Sequence, residues 1–244
     1  RGVKRGLAMG EAVNFARDLV THPANVAIPA FLARAARSLA RKYGMTCRVL
    51  EARDAERLGM GGFLSVAQAG VAPPKFIVLE HSGRNPKTAP VVLVGKGVTF
   101  DTGGLNIKPG GGMRTMKTDM SGAAAVLGAM RAIGELNASQ RVVALVPCTE
   151  NMIAGQANRP GDVITTLSGL TVEIDNTDAE GRLILGDALT YARRYKPQAV
   201  VDAATLTGAC VVALGELCSG VLGNSEALID RVCRAADRSG DRVW

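Results

Sequence analysis

The sequence predicts an α/β fold, a β-sheet sandwiched by helices, with its chemistry gathered at the carboxyl ends of the strands. Three observations point there. Short apolar runs rich in β-branched residues alternate with longer segments of helical spacing. Pro and Gly bound most of these runs, as turn chemistry requires. Acidic and basic residues crowd into two Gly-rich segments that follow predicted strands, and ligands of such sheets sit outside the strands' carboxyl ends.

Taken in order, the opening helix carries Val13, Phe15, Ala16, Leu19 and Val20, and the THPAN turn stops it. A second helix runs from Pro29, suited to a first helical position, to Tyr43, with Gly44 as its stop. TCRVLE reads as a strand, Asp54–Leu58 as a short helix and GMGG as a turn. KFIVLEH and PVVLVG are strands, and residues 96–112 a Gly-rich loop containing Pro109. Asp119 to Leu136 is a helix of small residues, followed by RVVALVP and TVEID as strands. GRLILGDALTYARRY has helical spacing at Leu183, Leu185, Ala188, Leu189 and Ala192. QAVVDAATL reads as a buried strand, and SEALIDRVCRAADRSG as an amphipathic helix stopped by Gly240. Lys96 directly follows one strand and Asp178 closely follows another, which places both segments at one sheet edge.

At 244 residues the chain suits one large domain, or a main domain with an appendage. Its 47% hydrophobic and 21% charged residues are those of an ordinary globular protein. No apolar run is long enough to span a membrane, and RGVKRGLAMGEAV lacks the apolar core of a secretory signal. Cysteines 47, 148, 210, 218 and 233 form no CxxC pair, so free thiols in a reducing, cytoplasmic compartment are expected. Of the formal charge of +7, residues 1–57 supply +6, from 11 Lys/Arg against 5 Asp/Glu. Arg34, Arg37 and Arg41 share one helix face, which reads as a solvated stripe or as an anion-attracting surface. Aromatic residues are only 4%, leaving little for base stacking.

The first chemical segment, VGKGVTFDTGGLNIKP with MKTDMSG, holds Lys96, Asp101, Lys108 and Asp119; the second, NTDAEGR, holds Asp178, Glu180 and Arg182. Four carboxylates on a Gly-rich framework suit divalent cations, which take oxygen ligands readily. Two such ions can share a water, make it nucleophilic and polarise a substrate oxygen. With only His22 and His81 in the chain, a histidine-built zinc site is excluded. Singly, each residue has a plainer reading. Asp119 and Asp178 could cap the helices that follow, and Glu180 could favour a helix dipole. KGVTFDTGG lacks the spacing of a phosphate loop. The combination is what points to chemistry.

NTDAEGRLILGDAL, with VGKGVTFDTGGLNIKP and MKTDMSGAAAV upstream, resembles the cytosolic leucyl aminopeptidase family of two-metal exopeptidases. NTDAEGRL is that family's specific signature. The similarity continues from NFARDLVTHPAN through ENMIAGQANRPGDV and VDAATLTGACVVALG to SGDRVW. It implies a mixed central sheet flanked by helices, removal of leucine-like residues from peptides with a free N-terminus, and assembly as a homohexamer. Residues 1–20 would be a linker helix from a preceding domain and 21–244 the catalytic domain. The family pattern runs on past SGDRVW, so a portion of a longer protein is expected.

The resemblance further implies that Asp101 and Glu180 bridge two metals, zinc or manganese, with magnesium as a third choice. Lys96 and Asp119 would complete one site, and Asp178 the other. Lys96 would ligate as a neutral amine, its pKa depressed by metal charge and burial. Lys108 would stay charged and stabilise an oxyanion. Arg182 would hold a bicarbonate that accepts the water's proton. Met116, Thr205 and Gly208 match positions lining the pocket for the first side chain, and Asn176 and Leu206 fall among the substrate-binding positions. Two other readings stand beside this one: a nucleic-acid-binding member of the family, and a catalytically silent relative. Intact Lys96, Lys108 and Arg182 argue against silence.

Overall fold

The structure, a computed structural model, describes residues 2–244. It comprises two compact units, the first ending at Thr205 and the second spanning Leu206–Trp244. The first contains, in order, α1 (Gly2–Thr21), α2 (Pro29–Tyr43), β1 (Thr46–Leu50), α3 (Ala52–Leu58), α4 (Gly61–Ala67), β2 (Lys75–His81), β3 (Val91–Gly95), β4 (Gly97–Asp101), α5 (Ser121–Glu135), β5 (Val142–Asn151), β6 (Val163–Thr165), β7 (Thr171–Glu173), α6 (Glu180–Ala192) and β8 (Ala199–Ala203).

The main sheet has the order β1-β2-β5-β3-β8, with β4 also pairing with β5. β1 with β2 and β2 with β5 are antiparallel, whereas β3 and β4 run parallel to β5, and β8 parallel to β3. The sheet is therefore mixed, in agreement with the expected class. Its central strands are apolar on both faces, as a sheet covered twice must be. On one face Ile77, Leu79, Ala144 and Val146 pack with Leu32, Leu39, Ala123 and Leu127 of α2 and α5. On the other, Phe76, Val78, Val143 and Leu145 meet Phe63, Val66, Ile184 and Ala188 of α4 and α6. Alternate residues of one strand thus feed two separate cores.

Several elements differ from the sequence reading. GMGG is not only a turn, because a helix, α4, starts at Gly61. A Cβ on Gly61 would lie 2.0 Å from the Thr165 carbonyl oxygen, and one on Gly62 2.6 Å from that of Leu183. The glycines that suggested a turn are there for close backbone approach. Gly97–Asp101, expected in a loop, is strand β4, and β5 continues through Pro147 to Asn151. TVE belongs to a separate two-stranded hairpin with β6, not to the main sheet. Along α1 the buried residues are Ala8, Ala12 and Leu19, while Val13 is exposed. A Cβ on Gly128 of α5 would lie 3.1 Å from Ala16 Cβ, so small residues at this helix contact outrank the larger Val13. On α6 Ile184 is buried and Leu189 exposed, and β8 is only half-buried because among the described residues it pairs with β3 alone.

The second unit contains α7 (Ala209–Leu214) and α8 (Glu226–Ser239). The Ser225 hydroxyl accepts the Leu228 N–H at the start of α8, and left-handed Gly240 (φ 76°) ends it, as the sequence predicts. All five cysteines are free. Among the described residues no helix is long and apolar enough to cross a membrane.

Candidate metal centre

β3 and β4 are one strand interrupted at Lys96. The register with β5 passes from Val94↔Leu145 to Gly97↔Cys148, leaving Lys96 level with Pro147, which has no N–H to give. The Lys96 backbone pairs elsewhere: its N–H donates to Ala203 O (3.0 Å), and its C=O accepts from Ala123 N–H (2.8 Å). This close approach of α5 needs glycine, since a Cβ on Gly122 would lie 2.0 Å from Ala203 O. The Lys96 side chain is buried, with Nζ 2.8 Å from Asp119 Oδ1 and 2.8 Å from Glu180 Oε1. It also donates to Thr205 O at 2.9 Å.

Asp101 ends β4. Its Oδ1 accepts the Gly103 N–H (2.9 Å) and the Asn151 side-chain amide (2.8 Å). Gly103 (φ 86°) and Gly104 (φ 65°) then turn the chain through the left-handed region, which disfavours side chains. The Lys108 N–H closes this loop on Thr102 O at 2.9 Å. Lys108 Nζ consequently lies 2.8 Å from Asp101 Oδ2 and 2.5 Å from Asp178 Oδ1. Asp178 itself sits on a short 3₁₀ turn, Thr177–Ala179, capped by Asn176, whose Oδ1 accepts the Asp178 N–H at 2.8 Å. Glu180 opens α6 two residues after Asp178 and is buried.

One oxygen from each of Asp101, Asp178 and Glu180 lies within 4.8 Å of the other two. Asp119 Oδ2 and both Glu180 oxygens are buried without a hydrogen-bond partner; the 2.8 Å Lys96–Glu180 contact is an ion pair lacking hydrogen-bond geometry. Four carboxylates face two ammonium groups, a surplus of two negative charges in a largely buried cluster. Such a surplus is costly unless further cations compensate it. The electrostatics bear this strain. Burial raises the Asp119 carboxyl to about 6 against the opposing pull of Lys96, and burial likewise raises Glu180. For Lys96 burial favours the neutral amine, but Glu180 and Asp119 outweigh it and hold the ammonium above its ordinary range. Burial opposes the charge on Lys108 too, and hydrogen bonds to Asp101 and Asp178 prevail, raising its pKa. Orphaned oxygens, hard donors and excess negative charge all fit divalent cations.

The remaining predicted residues divide. Arg182 is exposed on the first turn of α6 and makes no ion pair among the described residues. Met116 is half-buried on the 3₁₀ helix Gly110–Thr118. The Thr205 hydroxyl donates to Asp119 Oδ1 (2.7 Å), so within its unit this residue braces the cluster. Leu206 and Gly208 open the second unit, both exposed. Three residues not singled out in the sequence also matter. Asn151 and Thr177 tie the two segments together. Asp187, fully buried on α6, accepts N–H groups from Phe63 (2.8 Å) and Leu167 (2.8 Å). Asn151 ends a strand whose Pro147 hid its length, and Asp187 reads as a polar break in the apolar face of its helix.

Residues 14–244 match the cytosol aminopeptidase family, catalytic domain. The chain belongs to this family. Among aminopeptidase relatives, the chain is 54% identical over 242 residues to a probable cytosol aminopeptidase of Azoarcus sp. (strain BH72), covering 99% of the chain and 48% of that protein. Probable cytosol aminopeptidases of Geotalea uraniireducens (strain Rf4) and Methylobacillus flagellatus are 53% and 52% identical, over 96% and 100% of the chain and 47% and 49% of their own lengths. The chain thus spans about half the length of these cytosol aminopeptidases.

Proposed function

We propose that this chain forms the catalytic part of a metal-dependent aminopeptidase that removes the N-terminal residue from peptides, with leucine and other apolar residues preferred. The observation that carries the reading is the buried carboxylate cluster with three oxygens lacking a hydrogen bond and two uncompensated negative charges. Asp101, Asp119, Asp178, Glu180 and a deprotonated Lys96 would hold two ions, zinc or manganese, with magnesium as a third choice. Such ions, when bound, lower the pKa of water and polarise carbonyl oxygen.

The chain's own groups divide the remaining work. Lys108, held charged by its neighbours, presents an ammonium to the negative oxygen that develops on the scissile carbonyl. Arg182 offers a guanidinium fork, unpaired among the described residues, suited to bicarbonate as the proton acceptor. Neither histidine competes for that role, since His81 Nε2 pairs with Ala138 O and His22 packs edge-to-face against Phe31. Met116, Asn176 and Thr205 would contact the substrate's first residues. The relatives' shared name supports peptides as substrates and the cytoplasm as location; a homohexamer follows from the same family reading.

The test is release of leucine from leucine amide by the intact protein after chelation and reloading with zinc, manganese or magnesium. Activity should vanish on chelation and return with at least one ion. Undiminished release in excess chelator, or none with any of the three ions, would overturn the reading.

A further inference from the structure

The two segments that build the cluster come from distant parts of the chain, and one side chain joins them. Asn151 ends β5, level with Asp101 of β4 across an irregular step in the register. It is buried, and its Nδ2 donates to Asp101 Oδ1 at 2.8 Å and to Thr177 O at 3.1 Å. Its backbone carbonyl accepts both the N–H (2.9 Å) and the hydroxyl (3.0 Å) of Thr102. A single residue therefore grips Asp101, the turn after it, and the loop carrying Asp178 and Glu180.

The chemistry of the contact fixes which residue can stand there. A carboxylate and a peptide carbonyl only accept hydrogen bonds, so the atom between them must carry two protons. An amide nitrogen does; a carboxylate of the same shape would oppose acceptor to acceptor at both contacts. Around this junction Thr177 Oγ1 donates to Gly103 O (2.7 Å), and Thr177 N–H donates to Asn106 Oδ1 (2.8 Å), so the two loops are laced on both sides of the Asn151 amide. With Asp101 Oδ1 held by Asn151 and Gly103, Oδ2 is the oxygen turned toward Lys108.

We propose that Asn151 is a positioning residue for the metal centre: it orients the Asp101 carboxylate and sets its separation from the Asp178–Glu180 loop. This rests on the metal-dependent reading above. Outer partners of this kind typically govern metal affinity by about 10–100-fold.

The experiment measures Mn²⁺ affinity by electron paramagnetic resonance for the intact protein and for N151A and N151D, together with thermal midpoints in excess chelator. Both variants should fold in chelator with a lowered midpoint and, at a temperature well below it, bind Mn²⁺ about 10–100-fold more weakly, N151D no better than N151A. At saturating Mn²⁺, kcat for leucine amide should fall while KM changes little. Variants that fold and bind Mn²⁺ within about twofold of the parent would overturn the positioning role and leave the metal-enzyme reading standing. Should N151A not fold, N151D, of the same shape, decides alone, and failure of both to fold would assign Asn151 a structural role instead. A parent protein that binds no Mn²⁺ would overturn both readings at once.

Discussion

Within the cluster, single side chains carry separable consequences. Glu180 sits buried with neither oxygen hydrogen-bonded, so Glu180→Gln removes a charge that only cations can use and sets an amide donor beside the Lys96 ammonium. Mn²⁺ binding and activity should both fall, by more than the roughly 100-fold that outer partners command; calorimetric titration of the folded variant checks it. Lys108→Ala should cost turnover rather than substrate binding, about 2.7–4 kcal/mol of transition-state stabilisation. A raised KM at unchanged kcat would reduce Lys108 to a substrate binder. Asp119 supplies a pH prediction. Its carboxyl titrates near 6 in the fold against an ordinary 3.8, so across that window the fold holds a proton that the unfolded chain has lost. Acidification there stabilises the fold and opposes metal, because a cation must displace that proton. Mn²⁺ affinity should therefore drop by about tenfold per pH unit below 6 for this group alone, which titrations across pH 5–8 would reveal. Every acidic or basic member of the cluster was legible in the sequence, because charged groups in Gly-rich loops need a reason. Asn151 was not, since an uncharged amide at a strand end resembles any turn residue.

Elements were most legible where local chemistry alone decided them. Pro29 and Gly44 bracket α2 because ring geometry and a left-handed φ of 64° act within a residue or two. β4 and α4 escaped because their glycines answer to distant backbone, which no local pattern records. That difference is testable in helices. Gly186 of α6 has nothing within 4 Å of a Cβ, so Gly186→Ala should stabilise by about 0.5–1 kcal/mol through propensity alone. Gly122→Ala of α5, blocked by Ala203 O at 2.0 Å, should destabilise despite the same propensity gain. Urea denaturation of both variants would separate the effects. Asp187 serves one helix from its place on another. Burial raises its pKa while N–H groups of Leu167, Phe63 and Gly62 pull it down, so it acts as the cap that the start of α4 lacks in its own sequence. Asp187→Ala strands these donors in the core and should cost about 3 kcal/mol or more.

At the scale of the whole chain, an acidic pocket lies within a protein of net charge +7. The basic excess read in residues 1–57 includes Arg34, Arg37 and Arg41, all solvent-exposed on α2, so it leaves the cluster's own deficit uncompensated. On the metal-dependent reading a cation would be a ligand of the folded state alone, and it should stabilise by mass action: about 2.7 kcal/mol at a hundred times its Kd. The thermal midpoint should accordingly rise with Mn²⁺ in the intact protein and stay flat in Glu180→Gln. The fold class was legible because two-faced apolar strands and amphipathic helices alternate in sequence. The division after Thr205 was not, because nothing in DAATLTGA changes composition there.

Among the described residues the strand β8 lies at a half-buried margin of the sheet, yet it ends where the cluster begins, and its Ala203 carbonyl holds the Lys96 amide. Margins open first and most often. The rate at which the Lys96 amide trades its hydrogen for deuterium would therefore clock the breathing of the centre itself, with no substrate present. A centre anchored in the middle of the sheet would have no such external gauge; here the free energy of peeling one peripheral strand sets an upper bound on how rigidly the buried lysine can be held.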